Sequence, residues 1–70
     1  MKFELLDYVE LLTNLSGEGL RCGQAGTVVD VCTRPNQAYE VEFSNGEGRT
    51  IAMPPLLPEQ IALHSHARSS

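Results

Sequence analysis

The sequence predicts a mainly all-β domain of about five short strands, and three observations carry that expectation. Tyr39, Val41 and Phe43 alternate with Glu40 and Glu42, the period-two pattern of a strand with one buried and one wet face. Ala25 to Cys32 is rich in β-branched residues, which pack well on a pleated surface. Clusters of Gly, Pro and Asn between these segments supply the backbone geometry that reversals need.

The opening stretch, Phe3 to Thr13, fits two patterns: Leu5, Val9 and Leu12 make a helical stripe, while Val9 and Leu11 fit a strand. Later strands need partners, so a strand from about Tyr8 to Leu12 is expected, with Leu5 and Leu6 packing across one end. Asn14 to Gly26 holds four glycines and reads as a long structured loop, pinned to the core by Leu15 and Leu20. A strand over Ala25 to Cys32 follows, with Asp30 facing water, and then a turn over Thr33 to Gln37. The strand over Ala38 to Phe43 leads into a hairpin turn with Asn45-Gly46 as its apex. Arg49 to Met53 is the next strand, and Pro54 and Pro55 end it by removing two backbone donors. Leu57 to Ile61 reads as a single helical or 3-10 turn, with Pro58 near its first position, before a last strand at about Ile61 to Leu63. One long loop, two short turns and a 3-10 turn before the last strand are the order of a small SH3-like barrel, which also hides most sheet edge. The expected core face is Val29, Val31, Tyr39, Val41, Phe43 and Ile51. Residues 1–64 are expected to form the single domain and 65–70 a flexible C-terminal tail.

Seventy residues bury little apolar surface, so a deep substrate cavity beside a packed core is not expected. Five Lys and Arg against nine Asp and Glu leave a net charge of -4, which repels a phosphate backbone. Nucleic acid is therefore a poor partner unless Arg21, Arg34 and Arg49 cluster in space. No apolar stretch approaches the roughly 20 residues of a membrane-spanning helix, and no signal-peptide pattern follows Met1. A cytoplasmic protein is expected, with Cys22 and Cys32 reduced and mostly buried.

The stretches Leu20-Arg-Cys-Gly-Gln-Ala-Gly-Thr-Val-Val-Asp-Val31, Ala38-Tyr-Glu-Val-Glu-Phe43, Gly48-Arg-Thr-Ile-Ala52 and Leu57-Pro58 together resemble the DUF4926 family of short uncharacterised bacterial proteins. The resemblance spans about residues 4 to 63 and rests on several spaced elements. It implies an SH3-like β-barrel and no established activity, and it brings no catalytic or binding residues with it. Gly23-x-x-Gly26-x-Val28-x-x-Val31 also resembles the KOW element of ribosomal and transcription proteins, although the usual accompanying basic residues are sparse here. The Pro54-Pro55 pair departs from the family pattern.

Gly23 and Gly26 lack the following Lys-Ser/Thr of a phosphate loop, so they read as a tight turn entering a strand. Cys22, Cys32, His64 and His66 include the ligand types zinc needs, but the cysteines are ten apart without a CxxC knuckle and His64-x-His66 lies toward the tail. No metal and no cofactor are expected. A cysteine nucleophile would need a positioned base, and neither histidine has a fixed place beside Cys22, so no enzyme is expected. Without Trp and with only four Phe and Tyr, some in the core, an aromatic groove for proline-rich peptides is not expected. Glu40 and Glu42 point outward from one strand; with Glu10 and Asp30 on neighbouring strands they would form an acidic face able to dock a basic partner. The expected function is a small protein-interaction module, antitoxin-like, immunity-like or an assembly accessory. The alternative is a KOW-like module that contacts RNA or the ribosome.

Overall fold

A computed structural model of the chain describes residues 3–64. The alternation around Tyr39 becomes the strand β3 (Ala38–Ser44), which pairs with three of the other strands. The remaining strands are β1 (Tyr8–Leu11), β2 (Ala25–Cys32), β4 (Thr50–Ala52), β5 (Pro55–Leu56) and β6 (Ile61–Leu63), with 3-10 turns at Ser16–Glu18 and Pro58–Gln60. Together they make one antiparallel sheet in the order β4-β3-β2-β1-β6, with β5 also on β3. The fold is mainly β, with the 3-10 turn directly before the last strand. Among the described residues the strands number six, against the expected five or so, because the segment after the prolines pairs again.

That extra pairing has a simple cause. Proline cannot donate, so β4 stops at Ala52, but the Pro54 carbonyl still accepts from the Val41 N–H at 3.2 Å. The pairs Phe43 with Ala52 and Glu40 with Pro55 lie on one register line, so the chain stays aligned with β3 through the interruption.

The core consists of Phe3, Val9, Leu11, Leu20, Val28, Tyr39, Val41, Phe43, Leu56 and Ile61. Two expected members differ. Val28 pairs with Val41 and Asp30 with Glu40, which leaves Val29 as the extra residue of a β-bulge. The bulge reverses the phase of β2, so Val28 is fully buried, Val29 is half-buried, and Val31 packs against the core from its margin. Ile51 lies at a second register shift, between the pairs Phe43–Ala52 and Ser44–Thr50, and is 47% exposed. Ala52 packs inward in its place.

Leu20 is buried and Leu15 packs beside it, as the long loop requires; mutual backbone bonds of 2.9 and 3.0 Å tie the two together. In the β3–β4 turn the left-handed residue is Gly48, not Gly46, and the Asn45 side chain accepts from the N–H groups of both Glu47 and Arg49.

Leu5 and Leu6 do not pack across an end of the sheet: both are exposed. Phe3 takes that place, edge-on to Tyr39 with centroids 5.2 Å apart, and its N–H donates to the Tyr39 hydroxyl at 3.2 Å. Leu5 and Leu6 form instead a turn from Glu4 to Asp7, bonded to β2 through Leu6 N–H to Val28 O and Val28 N–H to Asp7 O. Leu6 there has φ +73°, a left-handed conformation that costs a β-carbon-bearing residue about 1–2 kcal/mol. Its side chain is 73% exposed, so little burial is lost on removing it. Leu6→Gly removes the strain but adds unfolded-state freedom of about 0.5–1 kcal/mol. The expected net result is a gain of about 0.5 kcal/mol in urea unfolding, and a loss above 1 kcal/mol would show that the leucine side chain holds the turn.

Candidate functional site

The face of the sheet turned away from the core is set by strand alternation. On β3 it carries Ala38, Glu40, Glu42 and Ser44, because Tyr39, Val41 and Phe43 face inward. Asp30 of β2 sits directly opposite Glu40, and Thr27 opposite Glu42. Asp30, Glu40 and Glu42 therefore form a short carboxylate strip across two adjacent strands. Glu10, the fourth expected member, stands apart. It pairs with Ala25 two strands from β3, and Tyr8 rather than Glu10 shares the Thr27–Glu42 rung. Its neighbour is His64, whose Nε2 lies 3.9 Å from Glu10 Oε1.

His64 is not a simple tail residue. Its N–H donates to Tyr8 O at 2.9 Å, its ring lies 5.1 Å from that of Tyr8, and it is half-buried. His66 and the expected tail over residues 65–70 lie outside the described residues. Among the described residues no three of His, Cys, Asp and Glu group as a metal site would require. Cys22 and Cys32 are both free and exposed rather than buried. Cys22 lies on the long loop, with its N–H donating to Asn14 Oδ1, and Cys32 is the last residue of β2, its Sγ donating to Arg34 O.

Beside the carboxylate strip runs a row that the sequence reading missed. The register line that places Pro55 opposite Glu40 also sets Met53 beside Glu42 and Leu57 beside Ala38. Ile51, Met53, Pro55 and Leu57 are all exposed, whereas Ala52, Pro54, Leu56 and Pro58 are buried or half-buried. The signal is present in the sequence: residues 51–58 read Ile-Ala-Met-Pro-Pro-Leu-Leu-Pro, apolar at odd and even positions alike. An edge segment with both faces apolar has one face that its own core does not cover. At its Leu57 end this row opens into a groove of about 310 Å³ lined by Cys32, Arg34, Pro35, Ala38, Glu40 and Leu57, among others.

Two further hollows lie among the described residues. One, of about 390 Å³, lies between Phe3, Leu12, Pro58 and Leu63 at the β6 edge. The other, of about 480 Å³, is a polar recess of the long loop around Asn14, Ser16 and Arg21. Neither adjoins the carboxylate strip.

The glycines of the KOW-like element serve a turn and a close strand contact. Gly23 has φ +95° in the turn into β2, where its N–H donates to Leu11 O, and a β-carbon on Gly26 would stand 2.7 Å from Glu42 O. Arg34 and Arg49 do not gather: Arg34 lies in the β2–β3 turn, at the opposite end of β3 from Arg49 in the β3–β4 turn. Among the described residues no helix is long and apolar enough to cross a membrane.

Searches of curated proteins and of solved structures returned no match. A family model described as a domain of unknown function does match, over residues 5–63. That match spans the sheet from the turn before β1 to the end of β6, and so the chain belongs to the DUF4926 family.

Proposed function

We propose that the chain is a small cytoplasmic protein-interaction module, acting as an antitoxin-like or immunity-like neutraliser or as an assembly accessory. The observation that carries this reading is the uncovered apolar row Ile51, Met53, Pro55 and Leu57 on a domain of only 70 residues. Isolated surface leucines are ordinary, but a contiguous apolar row beside charged groups marks interaction surfaces. The reading of the chain as a binding module rather than an enzyme draws on the same features: its shallow open hollows suit a macromolecular surface better than a small substrate.

The RNA-contacting alternative has less in its favour. Its glycines already serve the turn into β2 and the packing of β2 on β3, Arg34 and Arg49 lie at opposite ends of β3, and carboxylates occupy the middle of the exposed face.

The test is affinity capture from a lysate of the source organism on folded, tagged protein, with Met53→Ser/Leu57→Ser as the matched control bait. The expected result is a protein retained by the wild type and lost from the control. Recovery of RNA without protein, or of nothing above background, would count against the module reading.

A further inference from the structure

We infer that the outer face of β3, β4 and β5 receives a basic amphipathic helix of a partner protein, an inference that rests on the interaction-module reading above. Apolar and acidic groups form two adjacent columns there. Met53, Pro55 and Leu57 make the apolar column, and Glu42 and Glu40 stand beside Met53 and Pro55, one strand over. Asp30 extends the acidic side by a further strand.

The mode of contact follows from the prolines. An exposed edge strand invites a partner strand, but Pro55, whose backbone falls on the free edge because Pro54 turns its own toward β3, has no N–H to give to a strand ladder. The face remains. Alternate residues of a strand recur about every 6.6 Å, and residues four apart on a helix recur about every 6 Å. A helix lying along β4 and β5 therefore sets aliphatic side chains at i, i+4 and i+8 against Met53, Pro55 and Leu57.

Charge fixes the flank of that helix. Among the described residues the only ion pair is His64 with Glu10, so no described cationic side chain lies within 4 Å of the carboxylates of Asp30, Glu40 and Glu42. The Asp30 side chain accepts from the Val31 N–H and that of Glu42 from the Thr50 hydroxyl, while the Glu40 carboxylate makes no hydrogen bond to any described residue. Arg34 lines the far end of the groove without pairing with Glu40. Carboxylates opposite one another on adjacent strands repel. Lys or Arg on the helix flank nearest β3 relieves that repulsion. A second copy of this chain is a poor occupant of the same face, because it would bring three further carboxylates toward these three.

A phage-displayed random peptide library selected on the intact chain tests the inference. Met53→Ser/Leu57→Ser and Glu40→Lys/Glu42→Lys serve as counter-baits, with Glu40→Gln/Glu42→Gln replacing the latter if its amide spectrum departs from the wild type. The expected winners carry aliphatic residues at i and i+4 with Lys or Arg beside them. A synthetic winner should bind at least about tenfold more weakly to each double variant, and more weakly as salt rises. It should also shift the amide signals of residues 38–42 and 53–57. Peptides that bind both variants as tightly as the wild type, or that are acidic or uncharged, would overturn the surface assignment while leaving the module reading standing. An absence of any enriched peptide together with binding of an RNA oligonucleotide would overturn both.

Discussion

Phe43→Ala will leave most of the protein unfolded at room temperature. Phe43 is fully buried at the centre of the sheet, pairs with Ala52 of β4, and lies against Gly26 of β2. Truncating a core phenylalanine costs about 3–5 kcal/mol, from lost transfer energy and from the cavity left behind. A single core in a domain of about 70 residues rarely supplies more than about 3–5 kcal/mol of total stability. The substitution therefore removes most or all of the margin. Far-UV circular dichroism and amide dispersion measure the outcome, with Leu57→Ala on the exposed row as the comparison. Leu57→Ala should stay within about 0.5 kcal/mol of the wild type, as surface changes usually do. A Phe43→Ala protein as stable as Leu57→Ala would mean that the core does not centre on β3.

The fold was legible wherever one face of a strand is apolar and the other is not. Tyr39 to Phe43 shows this most clearly, since burial there follows parity without exception. The same rule fails on β2 because Val28, Val29 and Val31 are chemically alike, and only the bulge at Val29 decides which of them face inward. A bulge is a property of pairing between two strands and leaves no mark in one strand's composition. The end of the chain before β1 shows a related limit. Leu5 and Leu6 are as apolar as any core residue, yet the turn from Glu4 to Asp7 turns them to water and lets Phe3 fill the space over Tyr39.

The exposed face was legible only in part, for the same reason. Glu40 and Glu42 are two apart on one strand, so their common side follows from the sequence alone. Asp30 joins them because the bulge shifts it opposite Glu40, and Glu10 is separated because β1 meets β2 in a register that places it beside Ala25. Neither register can be read from a single strand. Met53, Pro55 and Leu57 were hidden by the prolines, which mark the end of a strand by every local rule. Their continued alignment with β3 is a tertiary fact, maintained through the Pro54 carbonyl. The apolar row and the acidic strip became one surface only when β3 brought them side by side.

Gly26→Ala should destabilise the protein by about 3 kcal/mol, although it adds one methyl group to a glycine in an ordinary strand conformation. A β-carbon there would lie 2.7 Å from Glu42 O, 2.8 Å from Val41 Cγ1 and 2.9 Å from Phe43 Cδ1. The closest of these atoms is backbone, so rotating a side chain cannot relieve the clash. β3 must move away from β2, loosening the central ladder of the sheet, and overpacking of this kind costs about 1–3 kcal/mol or more. Gly17→Ala provides the contrast, because nothing stands within 4 Å of its β-carbon position and the change restricts the unfolded chain. It should be neutral or stabilising by up to about 1 kcal/mol. Paired urea denaturation curves for the two variants measure the difference, and equal midpoints would show that β2 and β3 are not packed as closely as the geometry requires. The displacement also reaches the surface, because the carbonyl struck by the new methyl belongs to Glu42. Any Gly26→Ala protein that remains folded should therefore bind a basic amphipathic peptide more weakly than the wild type, whereas Gly17→Ala should bind it equally well.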